Sequence, residues 1–228
     1  MQMLWIASML FTACCAVPQD LSVKMFTFPV ESNVARVRLL PSGNNFTSVT
    51  VCLRFLTDLT RAYSLFSMAS TANNNEFLIF KTPNKGRFDV VTRGKFSRFN
   101  GLPDDPNTWY SICSTWDSNS GLAQVWINRN PSTRKVGFKG NLDGELSIVL
   151  GQEQDAVDGG FDAAQSFVGM ITDVHMWDYA LSACEIQRFA SDLNFTPGDV
   201  INWRALDFNI VGDVVIEDSQ INGCFHNQ

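Results

Sequence analysis

An all-β sandwich of two antiparallel sheets with one short, late helix is the fold this sequence predicts. Three observations point there. Short apolar or alternating runs recur along the chain, polar turn clusters rich in Asn, Asp, Gly and Ser separate them, and a single N-terminal helix signal stands near the end. No internal repeat or low-complexity linker interrupts the pattern.

Taken in order, Val49, Val51, Leu53 and Phe55 alternate with Thr50, Cys52, Arg54 and Leu56, the period of a strand with two different faces. Phe77–Phe80 and Phe88–Val91 flank Pro83-Asn84-Lys85-Gly86, which predicts a hairpin. Further strands are expected over Trp109–Trp116, Leu122–Asn128, Leu146–Leu150, Ser166–Met176, Val200–Trp203 and Asp213–Ile216. Asp117-Ser118-Asn119-Ser120-Gly121 and Asn141-Leu142-Asp143-Gly144 supply turns between them. Ser182-Ala183-Cys184-Glu185 is a capping box, followed by Ile186 and Phe189 on one helical face and by Pro197-Gly198 beyond the end.

Residues 1–16 form an apolar stretch ending in small residues, too short for a membrane span. They are expected to be a secretory leader cleaved after Ala16, with one domain over 17–228 and a secreted, extracellular product. No later segment is apolar and long enough to span a membrane. Secretion favours disulfides among Cys52, Cys113, Cys184 and Cys224. Asn45-Phe46-Thr47 and Asn194-Phe195-Thr196 are glycosylation sequons, the second weakened by Pro197. A net charge of −6 argues against a general affinity for nucleic acid.

The candidate site is the stretch from Leu150 to Gln165. It sets Glu153, Asp155, Asp158 and Asp162 around the Gly159-Gly160 turn. Carboxylates so close repel unless a cation joins them, and oxygen ligands of this kind suit calcium. The spacing is not that of an EF-hand loop.

Ile112-Cys113-Ser114-Thr115-Trp116-Asp117-Ser118 resembles the pentraxin signature, with Ser111 where the signature has His. Phe26-Thr27-Phe28-Pro29, Val51-Cys52-Leu53, Asn75–Phe80, Leu150–Asp155, Met176-Trp177-Asp178 and Asn202–Leu206 are similar to the same family, in order along the chain. The resemblance implies a flattened jelly-roll of two antiparallel sheets with the helix on one face. It also implies that Cys52 and Cys113 form the family's intersheet disulfide. Cys184 and Cys224 are then expected to make a second bridge, fixing the C-terminal tail to the helix; a bridge between subunits is the alternative.

By the same resemblance each subunit holds two calcium ions side by side. Glu153 and Asp155 correspond to carboxylates shared by both ions, and Gln154 to a backbone-carbonyl ligand. Asp162 and Gln165 correspond to ligands of the second ion, and Asn75 to a side-chain ligand of the first. Asn74 stands where an Asp is expected, which lowers the charge facing the first ion. Asp158 matches no ligand position, and without metal the repelling carboxylates are expected to loosen the loop. Phe80 corresponds to an aromatic wall beside the bound ligand and Val91 to the facing position. Thr92–Phe96 carries Arg93 and Lys95 but no acid for a choline cation.

The implied function is calcium-dependent recognition of phosphocholine, phosphoethanolamine or anionic glycans by a homo-oligomeric ring, a pentamer, in acute-phase innate immunity, with complement components among its partners. A laminin-G-like module with structural calcium is the alternative. An enzyme is disfavoured: Val157 replaces the second acid of the E-x-D-x-E strand of jelly-roll glycosidases. Only His175 and His226 are present, and no G-x-S-x-G occurs.

Overall fold

The computed structural model describes residues 17–221. The expected leader and Cys224 lie outside them. The first half runs through β1 (Lys24–Phe28), β2 (Arg36–Leu39), β3 (Asn45–Phe46), β4 (Ser48–Leu56), β5 (Tyr63–Ser70), β6 (Phe77–Lys81), β7 (Phe88–Thr92) and β8 (Lys95–Phe99). Then come β9 (Tyr110–Asp117), β10 (Leu122–Ile127), β11 (Asn130–Pro131), β12 (Lys135–Val136), β13 (Leu142–Asp143) and β14 (Leu146–Leu150). The chain closes with β15 (Gly169–Trp177), α1 (Ala183–Ala190), β16 (Phe208–Val211) and β17 (Val215–Asp218).

These strands build a sandwich of two antiparallel sheets, with β3 and β13 paired separately as a short two-stranded ribbon. The first has the order β11-β10-β9-β4-β15-β1-β17, with β12 also paired to β10; the second has the order β16-β2-β14-β5-β6-β7-β8. Inward-facing residues of alternating strands fill the space between them, among them Phe26, Val51, Leu53, Phe66, Phe77, Ile79, Val90, Ile112 and Trp116. The capping box forms as expected: the Ser182 side chain accepts from the Glu185 N–H while Glu185 reaches back to the Ser182 N–H. α1 buries Ile186 and Phe189 against Trp126, Trp177 and Leu181 on the outer face of the first sheet.

The disulfide needs one correction. Cys52 and Cys113 are bonded, but they are directly opposed residues of β4 and β9, neighbours in the same sheet. The bridge therefore cross-links two strands under α1 and does not join the two sheets. Cys184 sits exposed at the start of α1. The expected strand over Val200–Trp203 is also not formed. Ile201 makes an isolated bridge to Met176, and Asn202 caps a 3₁₀ turn, Trp203–Ala205, by accepting from the Arg204 N–H.

Candidate calcium site on the outer face of the second sheet

The second sheet places one row of paired residues across its outer face: Asn209, Arg38, Val149, Ser67, Leu78, Val91 and Phe96. The acidic loop leaves β14 just beyond Val149 and folds back over this row. It bonds β5 at Ser67, and β5 is buried along its whole length.

Side chains that are not metal ligands fix the path of the loop. At its start, Gln152 Nε2 donates to the carbonyls of Ser32 and Ala35 at 2.7 and 2.8 Å. Gln154 then turns its side chain into the protein. Its Nε2 donates to the carbonyls of Ser67 and Ser147 at 3.0 and 3.1 Å, and its Oε1 accepts from the Asp158 N–H at 2.9 Å. The Gln154 amide group is thus turned into the protein and engaged there, which leaves the backbone carbonyl as the oxygen available to a cation. Ala156 and Gly159 close the turn by mutual backbone bonds. Gly160 has a φ of +72°, and a Cβ there would lie 2.7 Å from Asp155 Cβ, so the turn returns against the acid only because this residue lacks one.

The predicted ligands fall into two groups, one around Glu153 and one at the 3₁₀ turn Ala163–Gln165. In the first, Glu153 is buried, and burial together with the Asp155 charge, opposed by the Asn75 amide, pushes its carboxyl up to about 7. Asn75 Oδ1 is buried with no donor. Asn74 Nδ2 donates to the Asp155 carbonyl at 3.3 Å, tying the loop before β6 to the acidic loop. In the second group, Asp162 Oδ1 caps the 3₁₀ turn Ala163–Gln165 by accepting from the Ala164 N–H at 3.0 Å, and Gln165 Oε1 is buried without a donor. Among the described residues no three His, Cys, Asp or Glu side chains converge to hold a metal. The oxygens that adjoin are mixed, carboxylate with amide and carbonyl.

Such a donor set fits calcium. Hard carboxylate, amide and carbonyl oxygens are its ligands, and the buried Asn75 and Gln165 oxygens without donors are free to accept a cation. Asn75, Glu153, Asp155, Asp162 and Gln165 would supply side-chain oxygens and Gln154 its carbonyl.

The neighbouring pocket differs from expectation in one position. Phe80, half-exposed on the same face, is paired with Asp89, while Val91 is paired with Leu78 and fully buried. Val91 is therefore covered and cannot serve as the facing wall. Asp89 is an acid beside the aromatic wall, but Arg87 holds it in a two-pronged ion pair at 3.0 and 2.9 Å. The two sequon asparagines, Asn45 and Asn194, are both exposed.

Several contributors lay outside the predicted set. Asp158 is not idle: it bonds Arg36 through both carboxylate oxygens. Ser70 receives the Ala72 and Asn73 N–H groups and donates to Glu76 at 2.6 Å, shaping the loop that carries Asn74 and Asn75. Burial pushes the Glu76 carboxyl up. The alternation of Arg36 and Arg38 with Val37 and Leu39 was a legible strand signal that puts both arginines on one face of β2.

Comparison with known proteins decides the lineage. A model described as the Pentaxin family matches residues 24–218. The chain belongs to the pentaxin family. Among curated pentraxins, it is 40% identical to C-reactive protein of Rattus norvegicus over 203 residues, covering 87% of this chain and 86% of the relative. It is 41% identical to the Homo sapiens C-reactive protein over 199 residues, covering 86% and 88%. Serum amyloid P-component of Rattus norvegicus is 39% identical over 201 residues, with 87% and 86% covered. The fold matches the native heptameric SAP-like pentraxin of Limulus polyphemus with a TM-score of 0.82, at 23% identity and covering 89% and 98% of the two chains. Domains LG4-5 of mouse laminin alpha1 share the fold more loosely, at a TM-score of 0.54 and 15% identity over 88% of this chain and 52% of that one.

Proposed function

We propose that this pentraxin is a secreted recognition protein of innate immunity that binds phosphorylated head groups and anionic glycans through two calcium ions on the outer face of its second sheet. The observation that carries it is the Glu153–Asp155 pair, a buried and an exposed carboxylate beside the donor-free Asn75 oxygen. Three carboxylates facing two dications leave net positive charge, which an anionic ligand completes. The site binds and does not turn over its ligand.

Ring assembly completes the proposal, because weak single sites on one face become tight on a repetitive surface. The two ends of the sandwich support it. At one end, residues 95–99 and 129–139 hold six basic side chains and no acidic one, with Phe96 and Val136 exposed. At the other, residues 207–218 hold four acidic side chains and no basic one, with Val215 and Ile216 exposed. Opposite charges around apolar centres suit head-to-tail contacts between copies, the type that closes into rings. The helix lies on the other broad face and leaves the calcium side free.

An array of phosphorylated head groups and glycans, probed with calcium and with chelator, tests the binding reading. Retention of phosphorylated or acidic ligands only with calcium is expected; equal retention with chelator would contradict it. The laminin-G alternative is separated by mass in solution, since it requires no closed ring.

A further inference from the structure

The most tightly held point of the acidic loop is a residue that the calcium reading leaves unused. Asp158 accepts from Arg36 Nε at 2.8 Å and Nη2 at 3.2 Å, and Arg38 Nη1 lies 3.8 Å away. Arg36 in turn donates to the Val34 carbonyl at 3.1 Å, and its guanidinium stands 4.9 Å from the centroid of the Phe161 ring. The Arg36 side chain is 14% exposed, so this pair is shielded from solvent and salt far more than an ordinary surface pair. Asp158 adopts a φ of 52°, a left-handed conformation that non-glycine residues seldom take. That conformation aims the carboxylate at β2 while its N–H meets Gln154.

We propose that Asp158 is a positioning residue: with Arg36 it latches the acidic loop to β2 and so orients Glu153, Asp155 and the Gln154 carbonyl for calcium. None of the latch contacts uses an oxygen that the calcium reading assigns to the metal. The two arginines also offset part of the charge of Glu153, Asp155, Asp158 and Asp162. The latch therefore holds the loop against the repulsion expected to loosen it, and calcium enters a site already formed. This inference rests on the calcium reading of the same loop.

The test uses the full protein and the variants Asp158→Asn, Arg36→Gln and the two combined. Amide hydrogen exchange over residues 151–165 is followed in chelator, calcium affinity by calorimetry, and the global unfolding midpoint by urea. Each single variant is expected to speed loop exchange at least tenfold and weaken calcium about tenfold, leaving the global midpoint close to wild type. The combined variant should be no worse than either alone, because both remove one interaction. Unchanged loop exchange in Asp158→Asn, or effects of the two variants that simply add, would overturn the latch. A wild type that takes up no calcium would instead overturn the proposed function, while exchange in chelator would still report on the latch.

Discussion

The two outer faces of this sandwich are covered in opposite ways. On the first sheet, α1 lays Ile186 and Phe189 over Trp126, Trp177 and the Cys52–Cys113 bridge, an apolar lid secured by burial. On the second sheet, a loop of amides and carboxylates lies over Ser67, secured by side-chain hydrogen bonds that Gln152 and Gln154 donate and that Asp158 accepts from Arg36. The apolar lid needs nothing from outside. The polar lid leaves Asn75 Oδ1 and Gln165 Oε1 buried without donors and keeps a carboxyl, Glu153, in a place that disfavours its charge. Proteins tolerate such deficits where a ligand removes them, so on the proposed reading the first face stabilises and the second binds.

If that division holds, damage to the two lids should separate cleanly. The largest effect belongs to the helix side. Phe189→Ala should cost about 3–5 kcal/mol in urea unfolding, as large aromatic truncations in cores do, with calcium affinity of the folded fraction unchanged. A loss of calcium affinity on that substitution would break the comparison.

The next effect concerns pH in chelator. Glu153 binds its proton up to about pH 7 in the folded chain, against the ordinary value of 4.5 when unfolded. Between these values the folded state holds more protons. The contribution of Glu153 to metal-free stability is therefore greatest below about pH 4.5 and falls as pH rises to about 7, by up to roughly 3 kcal/mol. Glu153→Gln should flatten that slope in denaturant melts at stepped pH, and a slope that survives would assign the penalty elsewhere.

A smaller effect is expected at Asn74. An aspartate there adds charge toward the first ion but loses the amide's bond to the Asp155 carbonyl. Asn74→Asp should tighten calcium about tenfold, roughly 1.4 kcal/mol, while lowering the melting temperature in chelator. Tightening with no apo cost would show that the bond does not hold the loop.

The smallest concerns ligand choice. With Asp89 neutralised by Arg87, phosphocholine should be bound no better than phosphoethanolamine. Arg87→Ala frees the acid beside Phe80 and should raise the choline preference about threefold, a fraction of a kcal/mol. Competition binding with the two head groups would detect it, and a strong choline preference in the wild type would show that Arg87 does not silence Asp89.

How much of this was legible in the sequence follows the same division. The helix announced itself through Ser182 and Glu185, and β4 through its period of two, because each has one buried face. β5 did not, since Ser64, Ser67 and Ser70 sit among Leu65, Phe66, Met68 and Ala69 without alternation. Both its faces are buried, and Ser67 and Ser70 hydrogen-bond into the loops above. The acidic loop was visible as a cluster of carboxylates. Its latch was not, because Arg36 and Asp158 lie 122 residues apart and only the fold brings them together. Asp89 escaped for a related reason: hairpin register, which composition does not reveal, decides what stands opposite Phe80.

The central claim is that the carboxylates of the polar lid bind calcium, and calorimetric titration of wild type and Asp155→Ala with calcium tests it most directly. Saturable uptake of two ions per subunit by the wild type, and its loss in the variant with folding intact, is the predicted result. No uptake by the wild type at millimolar calcium, or equal uptake by both proteins, would contradict it.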